Sequence, residues 1–258
     1  MIDWLESIDR SIVLTVNSWN TPFLDEVCWI LSARWPWIPL YLLLFYFSWK
    51  QLGTKKSAVF LFVVIVTIVL ADTTSVYFFK ENFQRYRPSH HALLTNRLHF
   101  YNTAKAAVWT TAVYKAMVYL IYFLVLYFNR KRLAIGRTML LVLGGLAVAA
   151  IAGVFILYAV TGQISGAPEY YKGGMYGFVS SHATNFFVIT VIMGLSLKEN
   201  YPNLLRVLLA ISVIVCFSRL YLGAHYLSDL VGGAFWGTLI ALVSYRFIIK
   251  PYILTPKR

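Results

Sequence analysis

Charge is scarce in this chain, and acid is the scarcer half: ten Asp and Glu stand against 23 Lys and Arg, and only 13% of the 258 residues are charged. By contrast 59% of the residues are hydrophobic, in several runs of about 20 that are long enough to cross a hydrocarbon core of ~30 Å. Cysteine is almost missing. Cys28 and Cys216 sit in or beside apolar runs with neither pairing nor metal-ligand spacing, which leaves structural thiols. No acidic cluster has metal spacing, so neither a divalent cation nor another cofactor is demanded. The first residues lack a basic n-region, which argues against a cleaved signal peptide. The net charge of +13 suggests nucleic acid on its face, but the basic residues lie in short loops between apolar runs rather than in a patch with interleaved readers, and no nucleic-acid partner is expected. The expectation is an all-α, polytopic membrane helical bundle, a single domain over 1–258, with about six to seven transmembrane helices and an N-terminal interfacial helix.

That first helix is expected over 1–22, with Trp4, Leu5, Ile8 and Ile12 on one face and Asp3, Glu6, Asp9 and Arg10 elsewhere, ending at Pro22. A first span runs from about Trp35 or earlier to Trp49, and a second from Ser57 to about Phe79 with Asp72 inside it. An acid within a span is costly, so Asp72 either supports a site or makes a structural hydrogen bond. The region 104–161 holds two further apolar runs joined at Arg130, Lys131 and Arg132, with Lys115 expected to snorkel. Gly145, Ala149 and Gly153 repeat at four-residue spacing, which lets helices approach closely. This hairpin reads as packing material. Later spans are expected from Ser181 to near Leu197, from Leu204 to Tyr221, and from Leu227 to Ile249, the last with Gly233 and Gly237 for close packing.

Against this apolar background three polar stretches stand out. Lys80 and Arg87-Pro88 lie at the mouth of the second span. Ser180, Ser181 and His182 open a helix whose N-terminal N–H groups are a natural anion site. Ser218 and Arg219 end the next helix, and His225 and Asp229 follow. If His225–Asp229 is helical, the i,i+4 spacing puts imidazole and carboxylate on one face. A carboxylate there holds one ring proton and leaves the other nitrogen as a nucleophile, while Arg219 suits a phosphate. The plain alternative for each stretch is an ordinary basic loop or polar helix end. Alternating spans, however, bring all three to one side. The opposite side collects Lys50, Lys55, Lys56, Arg130 to Arg132, Lys198, Arg206, Arg246 and Lys250, and by the positive-inside rule it is cytoplasmic. All acidic residues but Glu199 lie on the site side, so the site is expected to face a periplasm or exterior.

With these stretches assembled, the chain resembles the type-2 phosphatidic acid phosphatase (PAP2) superfamily, whose pattern is K-x6-RP, then PSGH, then SR-x5-H-x3-D. Lys80, Arg87 and Pro88 match the first motif, and Ser218, Arg219, His225 and Asp229 match the third. The second departs: Val179 stands for Pro and Ser181 for Gly, while Ser180 and His182 agree. The resemblance covers roughly Ser57 to Ile249 and implies metal-independent hydrolysis of a phosphate ester or anhydride through a phosphohistidine. It implies His225 as nucleophile oriented by Asp229, His182 as the acid and base, and Lys80, Arg87, Arg219, Ser180 and Ser181 as phosphate binders. Arg85, between the first-motif cations, is expected to be solvated or to face lipid headgroups. His90, His91 and His99, with Tyr221 and Tyr226, are expected to be peripheral.

The expected function is a bacterial inner-membrane lipid phosphatase with its C-terminus cytoplasmic. The candidate substrates are undecaprenyl pyrophosphate, phosphatidylglycerol phosphate, phosphatidic acid and lipid A phosphates. A phosphotransferase would use the same phosphohistidine. A lipid-binding or transport protein would instead run polar residues through the membrane, whereas here they gather at one face.

Overall fold

The computed structural model describes residues 2–101, 108–128, 130–131, 135–161 and 174–255. They form nine helices: α1 (Ile2–Asn17), α2 (Pro22–Ser32), α3 (Ile38–Leu52), α4 (Thr54–Phe83), α5 (Val108–Phe128), α6 (Arg137–Thr161), α7 (Ser181–Ser196), α8 (Leu204–Tyr221) and α9 (Leu227–Leu254). The architecture is all-α, as expected. Among the described residues α4, α8 and α9 are each long and apolar enough to cross a membrane, and α2 with α3 makes a fourth span if the pair, bent by 66°, is counted as one. The bend falls between Ser32 and Trp35, so the first expected span, to Trp49, lies within the stretch Trp35–Leu52. Pro36, in a 3₁₀ turn at Trp35–Trp37, has no N–H to continue a helix from α2 and suits the first turn of a new one. The expected start at Ala104, the Lys115 side chain, Arg132, and most of the Gly162–Gly177 loop lie outside the described residues.

The chain divides into two compact units. One comprises Ala33–Tyr46 and Tyr101–Tyr171. Within it α5 and α6 pair, and Leu126, Ile135 and Met139 form a core with Leu42, Leu43 and Phe123. The small-residue face expected for close packing is not used as such: a Cβ at Gly145 or Gly153 would meet nothing within 4 Å, whereas one at Gly144 would stand 3.2 Å from Phe123.

The other unit comprises Met1–Ser32, Phe47–Phe100 and Lys172–Arg258, and it holds all three motifs. At its centre α7 packs on α4, α8 and α9. Its outer faces are apolar, with Phe62 on α4 67% exposed and Phe235 on α9 68% exposed, as a hydrocarbon surround requires. Hydroxyl pairs join helices inside: Thr190 to Ser212 at 2.7 Å and Thr67 to Ser244 at 2.8 Å. The expected role of Gly233 and Gly237 holds. A Cβ on Gly233 would lie 2.6 Å from the Ser180 carbonyl, and one on Gly237 would collide with the Thr184 backbone. The α7 and α9 backbones therefore touch.

The α1 helix buries a mixed stripe of two polar and two apolar residues beside the face that carries Trp4 and Leu5. Trp4 and Leu5 are exposed, while Asp9, Val13, Val16 and Asn17 are buried where α1 packs on α8 and α9. Asn17 Nδ2 donates to the carbonyls of His99 at 2.9 Å and Tyr221 at 2.8 Å, and its Oδ1 accepts the His99 N–H at 2.7 Å.

Because the α7–α9 contact is backbone on backbone, Gly237→Ala should force the helices apart and cost about 1–3 kcal/mol. A thermal melt in detergent should show a lowered midpoint for Gly237→Ala and little change for Gly145→Ala.

Candidate active site

The third motif is built at a helix end. The α8 helix stops at Leu222, and Gly223, at φ +64°, takes the left-handed conformation that closes it. The Ala224 N–H reaches the Arg219 carbonyl at 3.0 Å and the Gly223 N–H reaches that of Leu220 at 3.1 Å, the paired bonds of a glycine-terminated helix. This turn uses up the residues between Arg219 and His225 and returns the chain inward, leaving Arg219, His225 and Asp229 all buried.

One expectation is corrected here. His225 is not on a helix with Asp229, because α9 begins at Leu227 with Tyr226 as its N-cap. The two still meet, since Asp229 in the first turn of α9 folds back over the cap. Its Oδ2 accepts the Tyr226 N–H at 3.0 Å and lies 3.5 Å from His225 Nδ1. Gly177 closes the same ring edge: a Cβ there would stand 2.8 Å from Asp229 Oδ2 and 3.5 Å from His225 Nδ1.

The other motifs converge on this centre. The last turns of α4 widen to a π-helical turn at Val76–Lys80, a local feature frequent at functional sites. From its end Lys80 Nζ donates to Ser181 Oγ at 2.6 Å. Arg87 is held by strand-like pairing of its loop with the loop before α7: its N–H meets the Met175 carbonyl at 3.0 Å and its Nε the Tyr176 carbonyl at 3.1 Å. Ser180 caps the approach to α7, with its N–H on the Asp229 carbonyl at 3.0 Å and its Oγ buried without a partner among the described residues. Val179, where the family has Pro, packs against Gly232. His182 Nε2 lies 3.2 Å from the Ser32 carbonyl, which can only accept, so Nε2 carries the proton. Arg219 Nη1 donates to the Ser32 hydroxyl. All eight sequence-predicted site residues thus fall in one unit and on the same ends of α4, α7, α8 and α9.

Burial pushes the His225 imidazole well below its ordinary pKa, and the charges of Arg87, Arg219 and Lys80 push it further in the same direction. The ring is neutral and keeps a lone pair. Imidazole beside three cations is suited to attack an anionic electrophile and ill suited to carry charge before one arrives.

The sequence reading of Arg85 is overturned. Arg85 is not solvated: its Nη1 donates to Asp229 Oδ1 at 2.9 Å and to Ser228 Oγ at 2.6 Å, its Nη2 to Asp9 Oδ2 at 2.8 Å, and its guanidinium lies 4.3 Å over the Tyr226 ring. Asp9 also accepts from the Ser228 backbone N–H at 3.1 Å and from the Ser228 hydroxyl. One guanidinium therefore neutralises two buried carboxylates and ties α1 to the α9 N-terminus. The remaining candidates stay outside this cluster. His99 pairs with Asp25 at 2.9 Å, Tyr221 donates to the same Asp25 at 2.7 Å, and His90 contacts Ser89 at 3.2 Å. Asp72 Oδ1 is 3.5 Å from Asn185 Nδ2, a hydrogen bond between α4 and α7. His91 lines an open groove of about 470 Å³ beside the site, together with Arg10, Phe83, Tyr86 and Phe178.

Residues 157–252 match the PAP2 superfamily. The chain is 21% identical over 257 residues to the lipid A 4′-phosphatase of Porphyromonas gingivalis, spanning 100% of this chain and 78% of that protein. It is 23% identical over 260 residues to the lipid A 4′-phosphatase of Bacteroides thetaiotaomicron, spanning 99% of this chain and 85% of that protein. The crystal structure of a transmembrane PAP2-type phosphatidylglycerolphosphate phosphatase from Bacillus subtilis has a similar fold, with a TM-score of 0.54 at 16% identity, over 97% of this chain and 89% of that one. Together with the helical fold, these matches define a multi-pass membrane lipid phosphatase. The family match covers residues 157–252, and together with the relatives and the fold it supports a PAP2-type membrane lipid phosphatase, the resemblance that the motifs carry.

Two outcomes follow from these buried groups. Arg85→Ala strands two carboxylates and should destabilise by about 3–5 kcal/mol, and Asp9→Asn, which leaves Arg85 its Asp229 partner, by less; chemical denaturation in detergent compares them. A neutral His225 contributes stability that is present above the ordinary imidazole pKa of about 6.5 and lost as pH falls below it, because the unfolded chain binds the proton more readily. The melting midpoint should therefore drop between pH 7 and pH 5.5, and drop less in His225→Gln.

Proposed function

We propose that the protein removes phosphate from a membrane lipid through a covalent phosphohistidine on His225, with the phosphate of a lipid A-type glycolipid as its substrate class. The observation that carries this reading is the neutral, buried imidazole of His225 within reach of Lys80, Arg87 and Arg219. Those three cations, with Ser180, Ser181 and the first N–H groups of α7, hold the phosphoryl oxygens and offset the charge that spreads over them in the transition state. Nε2 of His225 attacks phosphorus as the bond to the lipid oxygen breaks. Nδ1 keeps its proton toward Asp229, whose carboxylate balances the phosphorylated ring. The incoming phosphate monoanion passes its proton to His182 Nδ1, and the imidazolium so formed gives that proton to the leaving oxygen. With its Nε2 on the Ser32 carbonyl, Nδ1 is the nitrogen that exchanges. In the second half His182 takes a proton from water, the hydroxide displaces the phosphoryl group, and His225 returns to its neutral form.

The substrate class is supported by the two lipid A 4′-phosphatases, each similar over most of its own length. The groove beside the site, with aromatic walls and the Arg10–Glu6 pair in its lining, gives a headgroup both apolar and polar surface. The charge bias between the two ends of the spans supports a site facing the periplasm, with the C-terminus cytoplasmic, in a bacterial inner membrane. No metal is called on in this chemistry.

The test is phosphate release in detergent with EDTA present, from lipid A, undecaprenyl pyrophosphate, phosphatidylglycerol phosphate and phosphatidic acid. Release from lipid A should exceed the others and vanish in His225→Ala, and His182→Ala should lower kcat by about 10²–10⁴. Turnover that survives His225→Ala contradicts the mechanism. Release that favours another lipid contradicts the substrate class alone.

A further inference from the structure

We infer that the end of this unit remote from His225 carries a second anion site, built for the phosphate of an anionic lipid headgroup. Three helices each have one end at the catalytic cluster and the other at this place. Lys56 and Lys80 lie toward opposite ends of α4, Ser181 and Ser196 are the ends of α7, and Asp229 and Lys250 lie toward opposite ends of α9. At about 1.5 Å per residue the two ends of α7 lie about 22 Å apart. Between them the far ends enclose a cavity of about 460 Å³, lined by Gln51, Lys56, Ser196, Lys198, Tyr245 and Lys250 among others. None of these residues belongs to the PAP2 motifs.

The cavity is unbalanced in charge. Three lysines line it against one acid, Glu199, and among the described residues no carboxylate stands within ion-pair distance of any of the three. Like charges gathered on one concave surface repel, and an anion seated among them removes that cost. The wall also holds unmet hydrogen-bonding capacity. Ser196 is 3% exposed and its Oγ has no partner among the described residues. Gln51 Nε2 donates to the Ser196 carbonyl at 3.0 Å, which leaves its Oε1 as an acceptor without a partner there. Lysines that meet a phosphate as point charges, with a hydroxyl and an amide beside them, form a headgroup site rather than a bare electrostatic surface. The helices that end here have apolar outer faces, so hydrocarbon is at hand for the acyl chains of a bound lipid.

The test uses the full chain in a neutral detergent, followed by native mass spectrometry. Dioleoyl-phosphatidylglycerol is the probe, phosphatidylcholine the uncharged control and inorganic phosphate the competitor. Wild type should retain phosphatidylglycerol over phosphatidylcholine. The combined Lys56→Gln, Lys198→Gln, Lys250→Gln variant, still active as a phosphatase and therefore folded, should bind it about 100-fold more weakly. Poor competition by inorganic phosphate assigns the site to lipid. Displacement of the lipid by inorganic phosphate, lost in the triple variant, assigns the same anion site to free phosphate. Retention that the triple substitution leaves unchanged, or that equals phosphatidylcholine, overturns the proposal.

Discussion

The structure depends on keeping one buried imidazole neutral beside concentrated positive charge. His225 is removed from water and surrounded by Lys80, Arg87 and Arg219, so its proton is repelled and its lone pair is kept. The same cations would be intolerable without an anion, and Asp229 and the incoming phosphate divide that task. Asp229 is itself fully buried and needs compensation, which comes from Arg85, and Arg85 in turn holds Asp9 on α1. The His225 cluster is thus one end of a chain of charges that runs from α4 through α9 to the first helix.

Such a network needs rigid placement, and backbone contact provides it. Gly233 and Gly237 let α9 lie against α7 so closely that the Ser180 N–H bonds the Asp229 carbonyl. The α7 N-terminus and the residue that faces His225 are therefore joined directly. The bend between α2 and α3 contributes too: Ser32, the last residue of α2, meets His182 with its carbonyl and Arg219 with its hydroxyl. An element with no motif of its own fixes the tautomer of His182.

Much of this was legible in the sequence because polar residues in an apolar chain are conspicuous. Lys80, Arg87, Ser180, Ser181, His182, Arg219, His225 and Asp229 were picked out before any geometry, and the termini of α8 agree with the apolar run that carries Ser218 and Arg219. What was not legible depends on pairs remote in sequence. Arg85 looks like one more basic loop residue until α1 brings Asp9 to it from 76 positions away. Asp9 reads in the sequence as one more polar residue of an interfacial helix. In the structure Trp4 and Leu5 face out while a stripe of Asp9, Val13, Val16 and Asn17 meets the protein. Small-residue spacing was also ambiguous, since Gly233 and Gly237 face a backbone and Gly145 faces nothing. The pattern gives an opportunity for close approach, and only the neighbour decides whether it is used.

The account turns on His225 forming a bond to phosphorus. Rapid acid-free quenching of the wild-type protein during turnover of lipid A, followed by peptide mass spectrometry, would locate any covalent phosphate. The account predicts a phosphoryl group on His225, absent from the His225→Ala protein. Phosphate found on His182 or on a serine, or steady turnover with no phosphorylated residue at any time, would contradict it.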